Sequence, residues 1–306
     1  MTELIKFIGV LTILIIAAEL LARGTENMER KLGQGIAGGV ILGFLTALPE
    51  TVITVYALLN REYEVAIGSA IGGNVILFTL GIGLVGLIYS FSWNRFLTMN
   101  YDYNVENNFL ILNTIILAII VFYGRFNILT AIVLSSIYIF YIFYRIKKGK
   151  DEKENDKITN LSKSVIELVI GAILILAFSD LFVKCIVAIS KEFNLPVAWT
   201  SLLITPIAAE LEEKISGIRL AMRNLNGGSL AIVSFVGSKI ENSTLLLGLI
   251  GFFTSYSFYN SLPELISAVI ANVIGIGILL DGKVTKYESV ILIALYFIII
   301  YLDLIL

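Results

Sequence analysis

Gly43-Phe44-Leu45-Thr46-Ala47-Leu48-Pro49-Glu50 places a carboxylate beside a proline in the middle of an apolar stretch long enough to span a membrane. An acid at that depth costs about 2.5–3.5 kcal/mol on insertion scales, so it is rarely retained without a partner or a ligand. Pro49 lacks an amide hydrogen and disturbs the carbonyl one turn earlier, which leaves backbone oxygens near Thr46 and Ala47 available to a cation. The stretch indicates either a hard-cation site or a kinked helix whose acid faces a polar crevice.

The composition is that of an integral membrane protein. Of the 306 residues, 58% are hydrophobic, and the mean hydropathy is +0.91. At roughly 30 residues for a span and its loop, this length predicts about ten helices. The lipid bilayer is therefore the expected partner, and the net charge of −2 gives no reason to expect nucleic acid. The first apolar stretch, about Ile8 to Leu21, lacks a small-residue cleavage site and is interpreted as a retained span.

Residue types that the chain lacks exclude several enzyme classes. The sequence contains no histidine, which rules out serine–histidine catalysis, and the single Cys185 cannot form an internal disulfide. An aspartyl intramembrane protease requires two facing aspartates within the membrane. The candidates all lie at predicted span ends: Asp102, Asp180, Asp281 and Asp303. We therefore expect a protein that is not an enzyme.

The predicted spans form two groups of five, separated by a charged segment. In the first group they run from about Leu4 to Ala22, Gly35 to Leu59, Val65 to Tyr89, Phe109 to Phe122, and from beyond Arg125 to Tyr144. In the second they run from about Val165 to Ile189, Val197 to Met222, Ser229 to Phe253, Leu262 to Leu280 and Val290 to Leu304. The predicted domains are a first repeat, 1–146, a charged cytoplasmic linker, 147–162, and a second repeat, 163–306.

Four pairs of short motifs recur in the two halves at nearly the same spacing. They are Ala18-Glu19-Leu20-Leu21 with Ser179-Asp180-Leu181-Phe182, Leu48-Pro49-Glu50 with Leu211-Glu212-Glu213, Ile71-Gly72-Gly73 with Val236-Gly237-Ser238, and Gly124 and Tyr138 with Gly282 and Tyr296. Because each half has an odd number of spans, the second must enter the membrane from the opposite side. The predicted fold class is an all-α polytopic membrane protein with about ten transmembrane helices as two inverted five-helix repeats. Secondary transporters use this architecture and bind ions where the halves meet.

Basic residues favour an N-terminus outside and a central linker in the cytoplasm. In that orientation the cytoplasmic side has Arg23, Arg30, Lys31, Arg95, Arg145, the linker lysines, Lys163, Arg219, Arg223, Lys283 and Lys286. The outer side keeps only Lys6, Arg61, Arg125, Lys184 and Lys191. This bias follows the positive-inside rule. We expect a multi-pass protein of the cell (plasma) membrane.

Polar residues inside the membrane concentrate on four predicted spans. The second and third spans contribute Thr46, Glu50, Ser69 and Asn74. The seventh and eighth contribute Glu210, Glu212, Glu213, Lys214, Ser238, Lys239, Glu241 and Asn242. Glu210, Glu213 and Lys214 have the helical spacing i, i+3, i+4, at which an acid and an ammonium group can offset each other. The adjacent pairs Gly72-Gly73 and Gly237-Ser238 allow helices to approach closely beside these polar groups.

These residues resemble the cation/calcium exchanger superfamily, which includes sodium/calcium and proton/calcium antiporters with two inverted alpha-repeats. Thr46-Ala47-Leu48-Pro49-Glu50 is similar to the family's G-T-S-x-P-E segment, with Ala47 in place of the serine. Ala209-Glu210-Leu211-Glu212-Glu213 matches only in its leucine and final glutamate, because Glu210 and Glu212 replace a serine and the proline. Gly73 likewise stands in place of a serine, and Leu77 in place of an asparagine. The closing segment from Asp281 to Tyr296 also looks like the family's last helix.

The resemblance implies a secondary active cation antiporter that moves Ca²⁺ in exchange for Na⁺ or H⁺ by alternating access. It implies no cofactor, small inorganic cations as partners, and a monomer or weak homo-oligomer. Glu50 and Glu213 are the implied metal ligands. The full predicted cation-binding set is Thr46, Ala47, Glu50, Asn74, Ala209, Glu210, Glu213, Ser238, Glu241 and Asn242. Asn74 is included as a substitute, one turn away, for the asparagine that Leu77 replaces.

Lys239, aligned with Asn74, adds a positive charge beside the expected cation site. An ammonium group within about 4–6 Å of Glu50 or Glu213 would lower the affinity for a dication. We predict that Lys239 is an internal counterion that pairs with Glu210, Glu241 or Glu213 and weakens any dependence on sodium; a structural ion pair without a role in transport is the alternative. The altered second repeat also leaves open a divergent exchanger for another cation, or a non-transporting or channel-like relative.

Two further acidic features are interpreted as structural. Ser261-Leu262-Pro263-Glu264 spells the S-x-P-E pattern but begins the ninth span, where a proline and an acid suit the first helical turn. Glu19 and Asp180 are repeat-related acids near the ends of spans one and six. We interpret them as interfacial acids, with a place along an ion path as the alternative.

Overall fold

The computed structural model describes residues 2–32, 47–99, 103–148, 161–223 and 225–305. The α-helices of this part are α1 (Thr2–Leu32), α2 (Leu48–Leu59), α3 (Tyr63–Ile76), α4 (Ile82–Trp93), α5 (Asn104–Tyr123), α6 (Ile128–Lys148), α7 (Leu161–Phe193), α8 (Val197–Ala209), α9 (Leu211–Arg223), α10 (Gly227–Glu241), α11 (Leu247–Phe253), α12 (Leu262–Leu279) and α13 (Lys286–Ile305). The strands are β1 (Leu97–Thr98), β2 (Arg125–Phe126), β3 (Tyr256–Ser257) and β4 (Lys283–Val284). Residues 149–160 of the predicted linker, and residues 33–46 at the start of the second span, lie outside the described residues.

The described helices account for the predicted polytopic all-α fold. Eight helical segments in this part of the chain are long and apolar enough to cross a membrane, and α2 and α8 are shorter apolar helices. The third and eighth spans each consist of two α-helices joined by a π-helical segment, Leu77–Gly81 in one and Asn242–Leu246 in the other. These two segments begin 165 positions apart in the sequence, so the same irregularity occurs once in each half. The regular hydrophobic pattern did not predict either π-helical segment.

The seventh predicted span is interrupted, which corrects the expectation of one continuous helix from Val197 to Met222. It divides into α8 and α9 at Glu210, whose backbone angles are φ −121° and ψ 4°. Pro206 lies inside α8, and a proline in a helix interior removes a hydrogen bond and clashes with the carbonyl one turn earlier. In the first half, α2 begins after Ala47 with Pro49 in its first turn, so a helix boundary lies near both sets of predicted ion ligands.

The fourth span begins earlier than predicted. Helix α5 starts at Asn104 rather than near Phe109, so Glu106 lies in its first turn instead of in a loop. Glu106 is 1% exposed and pairs with Arg145 of α6. This neutralised pair explains how an acidic residue can occupy a buried position at the end of a membrane span.

Two short antiparallel sheets connect the two halves on opposite sides of the protein. Strand β1 pairs with β4, and β2 pairs with β3. Strands β1 and β3 follow the third and eighth spans, whereas β2 and β4 follow the fourth and ninth. If the two halves are interchanged, β1 takes the place of β3 and β4 takes the place of β2, so the β1–β4 sheet corresponds to the β2–β3 sheet. Because span four separates β1 from β2, the sheets lie at opposite ends of the helices, as an inverted repeat requires.

The turn glycines show the same correspondence. Gly124 precedes β2 with φ 78°, and Gly282 precedes β4 with φ 71°. A side chain is strained at such positive φ values, so glycine is favoured at both positions. Glycine thus recurs at these corresponding positions of the two halves for a conformational reason.

Glycines allow the third span to approach the seventh to backbone contact. A Cβ atom on Gly72 would lie 2.3 Å from the carbonyl oxygen of Leu202, and one on Gly68 would lie 2.3 Å from that of Ala198. Both obstacles are backbone atoms, which cannot move without separating α3 from α8. The close contact matters for the site because α3 ends at the first π-helical segment and α8 ends at Glu210.

Gly72→Ala is therefore expected to lower the free energy of unfolding by about 1–3 kcal/mol, the usual cost of overpacking a filled interior. The thermal midpoint of the detergent-purified protein, followed by tryptophan fluorescence, measures the change. Gly277→Ala is the matched control, because Gly277 is also helical and its added Cβ would meet no atom within 4 Å. Equal midpoints for both variants would contradict the proposed close contact.

Candidate cation-binding site

A small buried cavity lies between the two halves. Its volume is about 20 Å³, and its lining residues are Ala47, Glu50, Ala209, Glu213, Ser238, Glu241 and Asn242. The first half supplies Ala47 and Glu50 from the start of α2. The second half supplies the other five from the α8–α9 boundary, α10 and the second π-helical segment. All of its side-chain polar groups are carboxylates, a hydroxyl and an amide.

Glu50 and Glu213, predicted to face each other, border this same cavity. Glu50 is 7% exposed and lies close enough to Glu210, Glu213 and Glu241 for their charges to interact. The Ser238 hydroxyl donates a hydrogen bond to Glu213 Oε1, and the Tyr138 hydroxyl bonds to Glu241. Neighbouring hydroxyl groups thus hold Glu213 and Glu241 in place, and the acidic side chains lie in one region between the halves.

The carboxylates do not close round a single point. Within the described residues, no three acidic, histidine or cysteine side chains converge closely enough to hold a metal ion between them. The Ala47 carbonyl accepts a bond from the Thr51 amide at 3.1 Å, which leaves it one further lone pair. An ion here would therefore combine a few carboxylate oxygens with backbone, amide, hydroxyl or water oxygens.

Glu210, predicted as a cation ligand, does not line the cavity. Its Oε1 accepts a hydrogen bond from Asn242 Nδ2 at 2.8 Å, and its Oε2 lies 3.4 Å from Lys214 Nζ. The Lys214 ammonium also donates to the backbone oxygens of Glu210, at 3.0 Å, and Pro206, at 3.4 Å. The i, i+4 spacing correctly predicted that Glu210 and Lys214 offset each other, and the ammonium also binds carbonyls at the helix break.

Gly73 makes the space for this arrangement. A Cβ atom at position 73 would lie 1.8 Å from Glu210 Oε1 and 2.5 Å from Asn242 Nδ2. The glutamate can occupy this position only because its neighbour on α3 has no side chain. The substitutions at 73 and 210, which look independent in the sequence, are therefore complementary.

The sodium/calcium exchanger protein family matches residues 2–147 and 163–304, nearly the whole chain. The chain belongs to that family. Apart from residues 1, 305 and 306, the unmatched residues fall within the predicted linker, so both halves of this exchanger-family protein are covered.

Individual relatives are distant in sequence. The exchanger-family chain is 24% identical over 300 residues to the uncharacterized membrane protein MJ0091 of Methanocaldococcus jannaschii, a match that covers 94% of this chain and 93% of the other. Among solved structures, it resembles the H⁺/Ca²⁺ exchanger CAX with a TM-score of 0.81 and 20% identity, over 99% of this chain and 86% of that one. It also resembles the sodium-calcium exchanger NCX_Mj with a TM-score of 0.66 and 21% identity, over 98% and 97% of the two chains. Both structural matches establish the polytopic fold.

The remaining predicted ligands are distributed differently. Thr46 lies outside the described residues. Asn74 is fully buried, but it does not line the cavity, and neither of its side-chain polar atoms has a hydrogen-bond partner among the described residues. At the corresponding position of the second half lies Lys239, 165 positions later.

Lys239 does not form the predicted ion pair. Its Nζ donates to the backbone oxygen of Asn74 at 2.8 Å and lies 4.1 Å from the centroid of the Phe78 ring. In the described part of the chain, no carboxylate oxygen lies within 4.0 Å of this ammonium. The Glu210 carboxylate pairs directly with Lys214 and interacts with Lys239 only electrostatically, at longer range. The reason is geometric: the Lys239 side chain reaches across to α3, where the carbonyl and ring are available.

Tyr138 is a part of the site to which the sequence assigned no role. Tyr138 was noted only as the counterpart of Tyr296. In the structure Tyr138 bonds to Glu241, and Tyr296 lies near enough to Glu210 for an electrostatic interaction. The repeat of Tyr138 and Tyr296 in the sequence could therefore have indicated a role in the site, because these two tyrosines lie near Glu241 and Glu210, respectively.

Proposed function

We propose that this exchanger-family protein is a secondary active antiporter that moves Ca²⁺ across the membrane in exchange for Na⁺ or H⁺. The observation that carries the proposal is that Glu50 and Glu213, from corresponding positions in the two halves, border one buried cavity. Secondary transporters with inverted repeats bind their substrates in this place, between halves and near broken helices.

The chemistry of the cavity favours a hard divalent cation. Its donors are oxygen atoms, apart from the amide nitrogen of Asn242, and three of the lining residues are glutamates. Ca²⁺ accepts six to eight oxygens in a flexible geometry, including waters and backbone carbonyls, so loosely grouped carboxylates suit it. A cavity of about 20 Å³ admits one water-sized particle at a time. In this proposal Glu50 and Glu213 carry the ion, assisted by Ser238, Glu241, Asn242 and the carbonyls of Ala47 and Ala209.

Alternating access is supported by the placement of the helix boundaries. Ala47 and Glu210 lie at ends of helices next to the cavity, so α2 and α9 can change their tilt without stretching a continuous helix. The two interhalf sheets lie at the opposite ends of the protein. We propose that opening on one side and closing on the other occurs about the fixed cavity between them.

Membrane orientation is part of the same proposal. The N-terminus is placed outside and the linker in the cytoplasm, because the basic residues concentrate on the linker side. Cysteine labelling of the variant Lys191→Cys, at the exposed end of α7, from the outside of intact cells tests this orientation. The native Cys185 is buried and is replaced by serine for the assay.

Uptake of radiolabelled Ca²⁺ into proteoliposomes tests the transport proposal. Vesicles are loaded with Na⁺, or acidified inside, and diluted into medium that lacks the gradient ion. Uptake that saturates with Ca²⁺ and requires one of the opposing gradients is the expected result, with Glu50→Gln as the inactive reference. Uptake that is indifferent to both gradients, or equal in the reference variant, would rule out the antiporter.

A further inference from the structure

The ammonium of Lys239 is held as a bound monovalent cation would be. The side chain is fully buried, and its Nζ is coordinated by the Asn74 carbonyl at 2.8 Å and by the face of Phe78 at 4.1 Å. Backbone carbonyls replace the hydration shell of a desolvated cation, and an aromatic face attracts a cation electrostatically. The lysine thus places an ammonium group between α10 of the second half and α3 of the first.

Lys239 is adjacent to the cavity, although its own side chain points to α3. Its neighbours Ser238 and Glu241 line the cavity on α10, and Asn242 follows them. Lys214 supplies a second buried ammonium group, which binds Glu210, and Glu210 accepts a hydrogen bond from the cavity residue Asn242. Each lysine directly follows a cavity-lining residue in the chain, Glu213 or Ser238.

The net formal charge of the ionisable groups around the cavity matches one divalent cation. The carboxylates are those of Glu50, Glu210, Glu213 and Glu241, and the ammonium groups are those of Lys214 and Lys239. Counted as formal charges, four negative and two positive groups leave a net charge of −2, which a single Ca²⁺ balances. The sequence from 33 to 46 adds no ionisable side chain. A further Na⁺ would give a buried cluster of excess positive charge, which is costly in a low-dielectric interior.

The first half also lacks a ligand that the second half has. Asn242 begins the second π-helical segment and lines the cavity, whereas the corresponding residue of the first segment is Leu77, which is fully buried and apolar. Near that position, the polar contact on α3 is the Asn74 carbonyl, which Lys239 occupies. The Asn74 carbonyl, one turn before Leu77 on α3, therefore binds a tethered ammonium group instead of a mobile cation.

We propose that Lys239, together with Lys214, serves as a tethered monovalent cation that excludes Na⁺, so that Ca²⁺ transport by this chain does not use Na⁺. Lys239 is then a specificity-determining residue for the coupling ion. This inference rests on the proposed Ca²⁺ site, but it makes a separate claim about which ions compete there.

Calorimetric titration of the purified protein with Ca²⁺, in Na⁺ buffer and in choline buffer of equal ionic strength, tests the inference without transport. The wild type is expected to bind Ca²⁺ with the same affinity in both, within about twofold. Lys239→Met keeps the length of the side chain but removes its charge. We expect Na⁺ to weaken Ca²⁺ binding to this variant by about tenfold, corresponding to about 1.4 kcal/mol.

Lys239→Arg keeps the charge, so this variant is expected to bind Ca²⁺ with the same affinity in Na⁺ and choline buffers, as the wild type does. Lys184→Met is the surface control, because Lys184 is an exposed member of an ion pair with Asp180. The inference would be overturned if Na⁺ buffer weakened Ca²⁺ binding to the wild type. It would also be overturned if a folded Lys239→Met protein bound Ca²⁺ equally well in Na⁺ and choline buffers.

Proteoliposomes supply a second readout that does not require the variant to fold. An outward Na⁺ gradient at matched pH is expected to leave wild-type Ca²⁺ uptake at the level seen with choline, while an outward proton gradient drives it. Na⁺-driven uptake would refute the role of Lys239 and leave the antiporter proposal intact. Failure of both gradients would refute the antiporter, and the binding titrations would still decide whether Na⁺ is excluded.

Discussion

Ca²⁺ binding is expected to weaken by roughly 100-fold or more when Glu50 is replaced by glutamine. Removing one partner from a buried set of interacting charges costs about 3–5 kcal/mol, and each 1.4 kcal/mol is a factor of ten in affinity. Glu50 is 7% exposed and borders the cavity beside Glu213 and Glu241. Glu213→Gln should have an effect of similar size, because the two glutamates occupy corresponding positions. Calorimetric titration and gradient-driven uptake measure both variants.

Glu64→Gln is the control for the loss of an acid that lies away from the cavity. Glu64 lies in the first turn of α3, accepts an exposed hydrogen bond from Asn260 at 3.2 Å, and does not line the cavity. Its replacement should change Ca²⁺ affinity by less than about twofold, since exposed hydrogen bonds and charges contribute little. Comparable losses in Glu64→Gln and Glu50→Gln would mean that net charge, rather than the cavity, governs binding.

Alanine at Gly73 is expected to disrupt the site as well as the packing. The new Cβ would lie 1.8 Å from Glu210 Oε1 and 2.5 Å from Asn242 Nδ2, so the Glu210 side chain must move. Its displacement breaks the 2.8 Å bond from Asn242 and separates the carboxylate from Lys214. Overpacking costs about 1–3 kcal/mol, and an unsatisfied buried polar group adds a similar amount. Thermal unfolding in detergent and Ca²⁺ titration give the two effects separately.

The double variant Gly73→Ala/Glu210→Ala distinguishes a specific clash from general damage. With the glutamate shortened, the added methyl group no longer meets a carboxylate. The loss of stability in the double variant should therefore be smaller than the sum of the two single losses by about 1–3 kcal/mol, a coupling typical of residues in contact. Strict additivity would show that positions 73 and 210 do not constrain each other.

The repeated architecture was predictable because it depends on chain length and periodic polarity. The positions of Glu50 and Glu213 follow from the same repeat, since inverted halves bring corresponding residues to their common boundary. The turn glycines Gly124 and Gly282 were paired in the sequence and have matching positive φ angles. The family match over residues 2–147 and 163–304 agrees with the resemblance drawn from the motifs.

The helix break at Glu210 was missed for a physical reason. Residues 197–222 are apolar enough to read as one span, and a single proline in a membrane helix often produces only a kink. In this chain the helix ends after Ala209, and Lys214 binds the carbonyl oxygens of Pro206 and Glu210 in addition to the Glu210 carboxylate. Hydropathy does not report which of these two outcomes follows a proline.

The sequence by itself determined the membrane fold, the inverted halves and the two glutamates at their boundary, because these depend on hydropathy, span count and motif recurrence along one chain. Only the tertiary structure decided which partner each buried charge takes. Lys214 lies one helical turn from Glu210, and local spacing sufficed for that pair. Lys239 instead binds the carbonyl of Asn74, 165 positions away, and Gly73 makes room for Glu210 on another helix. Such contacts depend on the distance and orientation of packed helices, which spacing along the sequence does not specify.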